Sequence, residues 1–168
     1  HNLTGNWVVA SGDFNGSGRA QLLLYDPGSG DAQFLTFNKD LSQAAQITQS
    51  SWGTNMVLYS GHFGTPALSV MLYDPQSGES TFIAFDKSLQ AAHQYTVKSW
   101  DQSWQVLVGA FIDRSRCISN GTCKNSDDIL VLNRATGQLV QYVFSFGIKF
   151  QVYDNRAQAF VRAGAVSD

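Results

Sequence analysis

The sequence repeats itself, and that repetition limits the available folds more than any other feature. Residues 5–52 and 54–100 are two copies of one pattern. Tyr25/Tyr73, Asp26/Asp74, Pro27/Pro75, Gly30/Gly78, Phe34/Phe82, Phe37/Phe85, Leu41/Leu89 and Trp52/Trp100 each stand 48 positions apart. A third copy opens at Ser103, and Gly109 and Phe111 fall in line with Gly12 and Phe14 and with Gly61 and Phe63. This copy carries an insertion of about 11 residues, since Gly78 and Gly137 are 59 apart. In it Leu132-Asn133 replaces the Tyr-Asp of the other two. Repeats of this length are single supersecondary units that bury their apolar surface only by stacking on their neighbours.

Within each copy the residues predict four strands. In the first copy these run from Trp7 to Phe14, Gln21 to Tyr25, Ala32 to Phe37 and Gln46 to Trp52. An Asp-Pro-x-Ser-Gly segment joins the second and third, and it is a hairpin connection by composition. In the second copy Ile83 and Phe85 alternate with Phe82, Ala84 and Asp86, a period of two. Leu41–Ala45 has mild helical propensity but is too short to hold a helix alone. The expectation is one all-β domain over 1–168. Its repeats span 5–53, 54–102 and 103–150, and residues 151–168 form a C-terminal extension. Within that extension, residues 157–163 read equally as a short helix or a strand.

An all-β repeat protein must remove its sheet edges. Three four-stranded units of about 48 residues fit a β-trefoil with pseudo-threefold symmetry by counting. The alternative is a three-bladed unit of a β-propeller. Propellers close with about four or more blades, so this unit would close by dimerisation, two chains giving six blades.

Composition narrows the function. The 168 residues carry 11 basic and 13 acidic side chains, a net charge of −2. That balance argues against a nucleic-acid partner, which requires a basic face. No apolar run approaches the length of about 18 residues that a membrane span needs. No signal peptide precedes the first repeat, so a secreted protein would be present here in mature form. The surface is rich in Ser, Gln, Asn and Thr and poor in charge, a balance common outside the cell. Cys117 and Cys123 flank an Asn120-Gly121 turn signal, which brings the two thiols within disulfide reach. Such a bridge points to an oxidising, extracellular or secreted setting. Asn2-Leu-Thr4 and Asn120-Gly-Thr122 match the glycosylation acceptor pattern.

One segment carries a family likeness. Ser11-Gly-Asp-Phe-Asn-Gly-Ser-Gly18, followed by Gln21-Leu-Leu-Leu-Tyr-Asp26, resembles the FG-GAP/VCBS repeats of integrin-like propellers. It is also similar to a bacterial tandem repeat of the form Trp…Gly-x-Phe…Leu-Leu-x-Tyr-Asp…Gly. The match spans residues 5–144 and is sharpest in the first copy. The resemblance implies an extracellular binding or adhesion module, often attached to a larger enzyme, and brings no catalytic residues.

The candidate chemistry is sparse. Asp13, Asn15 and Ser17 place carboxylate, amide and hydroxyl oxygens at alternate positions, as a calcium loop does. No glutamate ends the loop, and the other copies lack the pattern, so a polar turn that bonds its own backbone competes. His1 invites comparison with copper enzymes that bind metal through an amino-terminal histidine, but only His62 and His93 accompany it, and both lie within the repeats. Asp127-Asp128 is an acidic pair whose side chains alternate if both lie on a strand. No nucleophile-elbow or phosphate-loop motif occurs, and the chain reads as non-catalytic.

The aromatic residues are the remaining lead. Tyr25, Asp26, Trp52, Tyr73, Asp74 and Trp100 recur by symmetry, and indole or phenol faces beside carboxylates suit sugar rings. Trp52 and Trp100 end strands and are the expected exposed pair, whereas Trp7 and Trp104 begin strands and are assigned to the core. The leading expectation is a carbohydrate-binding module or lectin with about two weak sites, which gain avidity on a polymer. The alternative is a protein–protein adhesion or assembly module. The expected partner is a glycan or polysaccharide; no cofactor is expected, calcium aside.

Overall fold

In a computed structural model, the structure describes residues 5–98, 100–111, 127–145, 149–154 and 159–162, with side chains to residue 142. The first sheet holds β1 (Val8–Gly12), β2 (Gln21–Asp26), β3 (Asp31–Phe37) and β4 (Gln43–Gln49). The second holds β5 (Val57–Gly61), β6 (Ser69–Asp74), β7 (Glu79–Phe85) and β8 (Ala91–Lys98). The third holds β9 (Trp104–Gly109), β10 (Asp128–Asn133), β11 (Leu139–Ser145), β12 (Lys149–Asp154) and β13 (Ala159–Arg162). Every pairing is antiparallel between sequence neighbours, so each sheet is a meander. No helix occurs among the described residues. The fold is all-β, as the repeats require.

Two expectations change. Each described strand pairs only inside its own repeat, whereas a trefoil draws strands from all three repeats into one shared barrel. Residue 150 also falls inside β12, so the third repeat takes its fourth strand from the segment assigned to the extension. Residues 159–162 then add a fifth strand, β13, at that edge.

The hairpin between the second and third strands shows why these residues make these turns. Asp26 accepts the Gly28 N–H at 2.9 Å and the Ser29 hydroxyl at 3.2 Å. Asp74 does the same with the Gln76 N–H at 2.8 Å and the Ser77 hydroxyl at 2.6 Å. In the third repeat the Asn133 amide oxygen takes the Ala135 and Thr136 N–H groups. The turn needs a short side-chain acceptor rather than a charge, so asparagine replaces aspartate without loss. Leu41 and Leu89, by contrast, hold left-handed backbone at φ 66° and 61°. This sharp turn starts β4 earlier than the sequence suggests, at Gln43.

The sheets stack face on face. The leading face of the first sheet carries Phe14, Leu23, Tyr25 and Phe34; the trailing face of the second carries Val70, Leu72, Ile83 and Phe85. Together with Trp52 and Leu89 they form one core. The leading face of the second sheet, with Phe63, Met71, Tyr73 and Phe82, meets Ile129, Val131 and Val140 of the third in an equivalent core with Trp100. Each seam is therefore made by the same positions, one repeat further on.

A phenylalanine plug fixes each step. The Phe14 N–H bonds the Gln21 side-chain carbonyl at 2.8 Å, the Phe63 N–H bonds the Ser69 hydroxyl at 3.2 Å, and the Phe111 N–H bonds a carboxylate oxygen of Asp128 at 3.1 Å. All three acceptors are buried. A backbone bond then crosses each seam at the residue before the plug. The Leu68 N–H reaches the Asp13 carbonyl at 2.9 Å, and the Asp127 N–H reaches the His62 carbonyl at 3.0 Å. Asp127 also accepts the His62 N–H at 2.7 Å. The Asp127-Asp128 pair is thus a structural clamp, Asp127 reaching the second sheet and Asp128 the plug of its own repeat.

Candidate ligand-binding groove

The symmetric tyrosines serve the backbone. Tyr25 is fully buried, and its hydroxyl donates to the Gly53 carbonyl at 2.7 Å and accepts the Met56 N–H at 3.3 Å. Tyr73 is 3% exposed and donates to the Asp101 carbonyl at 3.0 Å. Each phenol thereby ties its sheet to the linker that leads to the next. Burial raises the pKa of both phenols above the usual range. Asp26 and Asp74 cap turns, and the bond from Ser77 holds the Asp74 carboxyl below its ordinary range. The third repeat has Leu132 in place of tyrosine and lacks this hydroxyl.

The expected exposure of the terminal tryptophans is corrected. Trp52 is 9% exposed and Trp100 4%. Each main-chain N–H returns to the turn glycine of its own sheet, Trp52 to the Gly30 carbonyl at 3.0 Å and Trp100 to the Gly78 carbonyl at 3.3 Å. That return folds the ring inward over the tyrosine. Trp52 stacks on Tyr25 with centroids 6.3 Å apart and on Phe85 at 6.0 Å. The glycines allow the close approach. Both have positive φ, and a Cβ on Gly78 would lie 2.1 Å from the Trp100 carbonyl oxygen. Trp7 and Trp104, assigned to the core, are only partly buried.

The Asp13–Ser17 loop bonds its own chain. One Asp13 oxygen takes the Ser17 N–H at 2.9 Å and the other the Gly18 N–H at 2.7 Å. The Asn15 carbonyl oxygen accepts from Gln21, while its amide N–H donates to the Lys87 carbonyl of the second sheet. These oxygens face backbone N–H groups and a core glutamine, as a polar turn does. Among the described residues no group of three or more His, Cys, Asp or Glu is arranged to hold a metal. His1, Cys117, Cys123 and both glycosylation triplets lie outside the described residues.

A concavity lies on the first seam. A groove of about 570 Å³ runs between the linker of the first sheet and the trailing face of the second. Trp52, Met56 and Ile83 supply apolar wall, and Gln49, Gln94, Thr81, Thr96, Asp74 and Glu79 supply polar atoms. Strand pairing explains the set. Asp74 faces Glu79 across β6 and β7, and Thr81 faces Thr96 across β7 and β8. The two threonine hydroxyls bond at 3.1 Å. Gln49 frames the opening, donating to the Leu89 carbonyl and accepting the Trp52 indole N–H at 3.1 Å.

At the second seam the position equivalent to Ile83 is Tyr142, since Ile129 pairs with Tyr142 as Val70 pairs with Ile83. Its ring meets Trp100 edge-on at 5.0 Å, and its hydroxyl accepts the Trp100 indole N–H at 2.8 Å. A tyrosine bonded to the seam tryptophan thus stands where the first seam has isoleucine.

Of the six symmetric residues, the groove includes only Trp52 and Asp74. The sequence reading missed Gln49, Glu79, Thr81, Gln94 and Thr96. Except for Gln49, at the end of β4, their signal was present as polar residues on the trailing face of β7 and β8, a face that otherwise packs. In comparisons with known proteins, the chain matches no family model, no curated protein and no solved structure at a significant level.

Proposed function

We propose that the three sheets are consecutive blades of a propeller-type arc, and that the protein is a non-catalytic module that binds a glycan in the groove of the first seam. The observation that carries the reading is the make-up of that groove, an indole wall beside two carboxylates, two amides and paired hydroxyls in about 570 Å³. Binding sites of this kind combine an apolar wall with a few directed polar groups. Sugar C–H faces suit the former and hydroxyls the latter. Catalysis of glycosidic cleavage would want a carboxyl held protonated beside an ionised one. Both Asp74 oxygens are instead taken up by their own turn, accepting from the Gln76 N–H and the Ser77 hydroxyl. The reading calls for one site per chain rather than two, because at the second seam Tyr142 stands where Ile83 lines the groove of the first. An extracellular setting fits the weakly charged surface and the resemblance to adhesion-type repeats.

The test is a glycan array and isothermal titration with soluble oligosaccharides, comparing the native chain with Gln94→Ala and Glu79→Gln. Both side chains are exposed, so neither change disturbs the core. Binding weakened about tenfold by either variant, the loss of one or two directed hydrogen bonds, supports the reading. Silence across the array, or binding that both variants retain in full, overturns it.

A further inference from the structure

The two ends of the stack are complementary. The trailing face of the first sheet repeats the pattern of the second. Its Leu22, Leu24, Leu35 and Phe37 stand where the second sheet has Val70, Leu72, Ile83 and Phe85; Leu24 at the centre is buried, and the other three are partly exposed. Leu41 stands where Leu89 stands, on the same left-handed turn. Leu89 is 2% exposed beneath the first sheet, whereas Leu41 is 82% exposed. Val9, on the same face, is 58% exposed. At the other end, the leading face of the third sheet presents the plug without a socket. Phe111 is 46% exposed, against 0% for Phe14 and 2% for Phe63. Its ring nonetheless sits over Gly109 as the Phe63 ring sits over Gly61. Leu107, on that face, is 41% exposed. Four of the five large apolar side chains exposed among the described residues thus lie on these two end faces.

We propose that the end faces bind each other between two copies of this chain, so that the third sheet of one copy docks on the first sheet of the other and two copies close a six-bladed ring. The occupant follows from repeat equivalence. The first sheet's trailing face is built to receive a leading face with a phenylalanine plug, and Phe111 is such a plug already in position. Equivalence also places the main-chain bond. Leu68 donates to Asp13 and Asp127 to His62 across the internal seams. The corresponding pair between copies is the Ala20 N–H and the partner's Ala110 carbonyl. Head-to-tail contacts form a ring when the rotation closes, and six blades lie within the range of roughly four to eight that close propellers. The inference does not rest on the glycan reading, and either can fail alone.

The test is sedimentation velocity and light scattering across a concentration series, with hydrogen exchange on the same samples. The native chain is expected at about twice its 18.4 kDa, with the Ala20 amide protected in the dimer. Leu41→Lys and Phe111→Asp alter exposed side chains, and each is expected to weaken dimerisation about tenfold or more, as loss of a buried apolar anchor does. An equimolar mixture of the two retains one intact seam and is expected to associate more strongly than either variant alone. A native chain that stays monomeric at every concentration overturns the proposal. So does a dimer that survives Phe111→Asp unchanged, because that dimer would join like faces. Circular dichroism of the variants confirms that the sheets persist, so that lost association reports on the interface.

Discussion

The two seams use the same strands, the same phenylalanine plug and the same tryptophan, yet they differ at the rim. At the first, Trp52 gives its indole N–H to Gln49 of its own sheet, and Ile83 leaves a groove beside it. At the second, Trp100 gives its indole N–H across the seam to Tyr142. A repeat therefore becomes specialised without changing its backbone. Packing conserves the buried layer, because a void or a clash there costs kilocalories. The rim of the seam is free to gain or lose one side chain, and the change decides whether space is left for a ligand.

The largest expected effect tests the tightness of the closed seam. Gly78→Ala forces a Cβ against the Trp100 carbonyl at positive φ, and about 4 kcal/mol of stability should be lost. Gly30→Ala meets the Gly53 carbonyl at 2.9 Å and should lose less, about 2–3 kcal/mol. Gly137→Ala, with nothing within 4 Å, should cost about 1 kcal/mol. Chemical denaturation of the three variants checks the order, and equal losses would remove close approach as the cause.

Truncating the tryptophans comes next. Trp100→Ala should cost about 4 kcal/mol and Trp52→Ala about 3 kcal/mol, because the first seam already borders open space and its cavity is filled by water more readily. Thermal unfolding followed by calorimetry decides whether the order holds. An exchange of rim residues then sharpens the comparison. Tyr142→Ile should cost about 2 kcal/mol, since it leaves the Trp100 indole N–H without its partner, and should open a second groove. Ile83→Tyr should cost about 1 kcal/mol and abolish ligand binding at the first. Titration calorimetry reads the stoichiometry, and a native count of one that does not change in either variant would break the link between rim and site. Tyr142→Phe, which removes only the hydroxyl, should cost about 1 kcal/mol.

The smallest effect is on pH. The Asp74 carboxyl is held low by Ser77, so its contribution is present above the ordinary carboxylate range near about 4 and is lost as pH falls through the folded value. Asn133 does the same work without a charge. Acid should therefore loosen the turn of the second repeat before that of the third, a difference that amide exchange at Gln76 and Ala135 resolves. At the alkaline end the sign reverses. Burial raises the Tyr25, Tyr59 and Tyr73 phenols, so their contribution is present below about 10 and fades as pH rises through their folded values. Absorbance titration of the phenolates should coincide with unfolding.

The sequence by itself determined the unit. The 48-residue spacing, the Asp-Pro-x-Ser-Gly turn and the alternation of Ile83 and Phe85 with Phe82, Ala84 and Asp86 point to four strands per repeat, because turn chemistry and a period of two are local properties. Only the tertiary structure decided what the symmetric aromatics do. Trp52 and Trp100 look exposed at strand ends, but their N–H groups fold back onto Gly30 and Gly78 and carry the rings inside. Pairing between repeats was equally hidden, since strands that alternate in the same way serve a shared barrel or separate stacked sheets. The groove could not be read along the chain either. It arises from the difference in size between Ile83 and Tyr142, two residues 59 positions apart on the same face of successive sheets, and such a difference acquires meaning only where one sheet lies against the next.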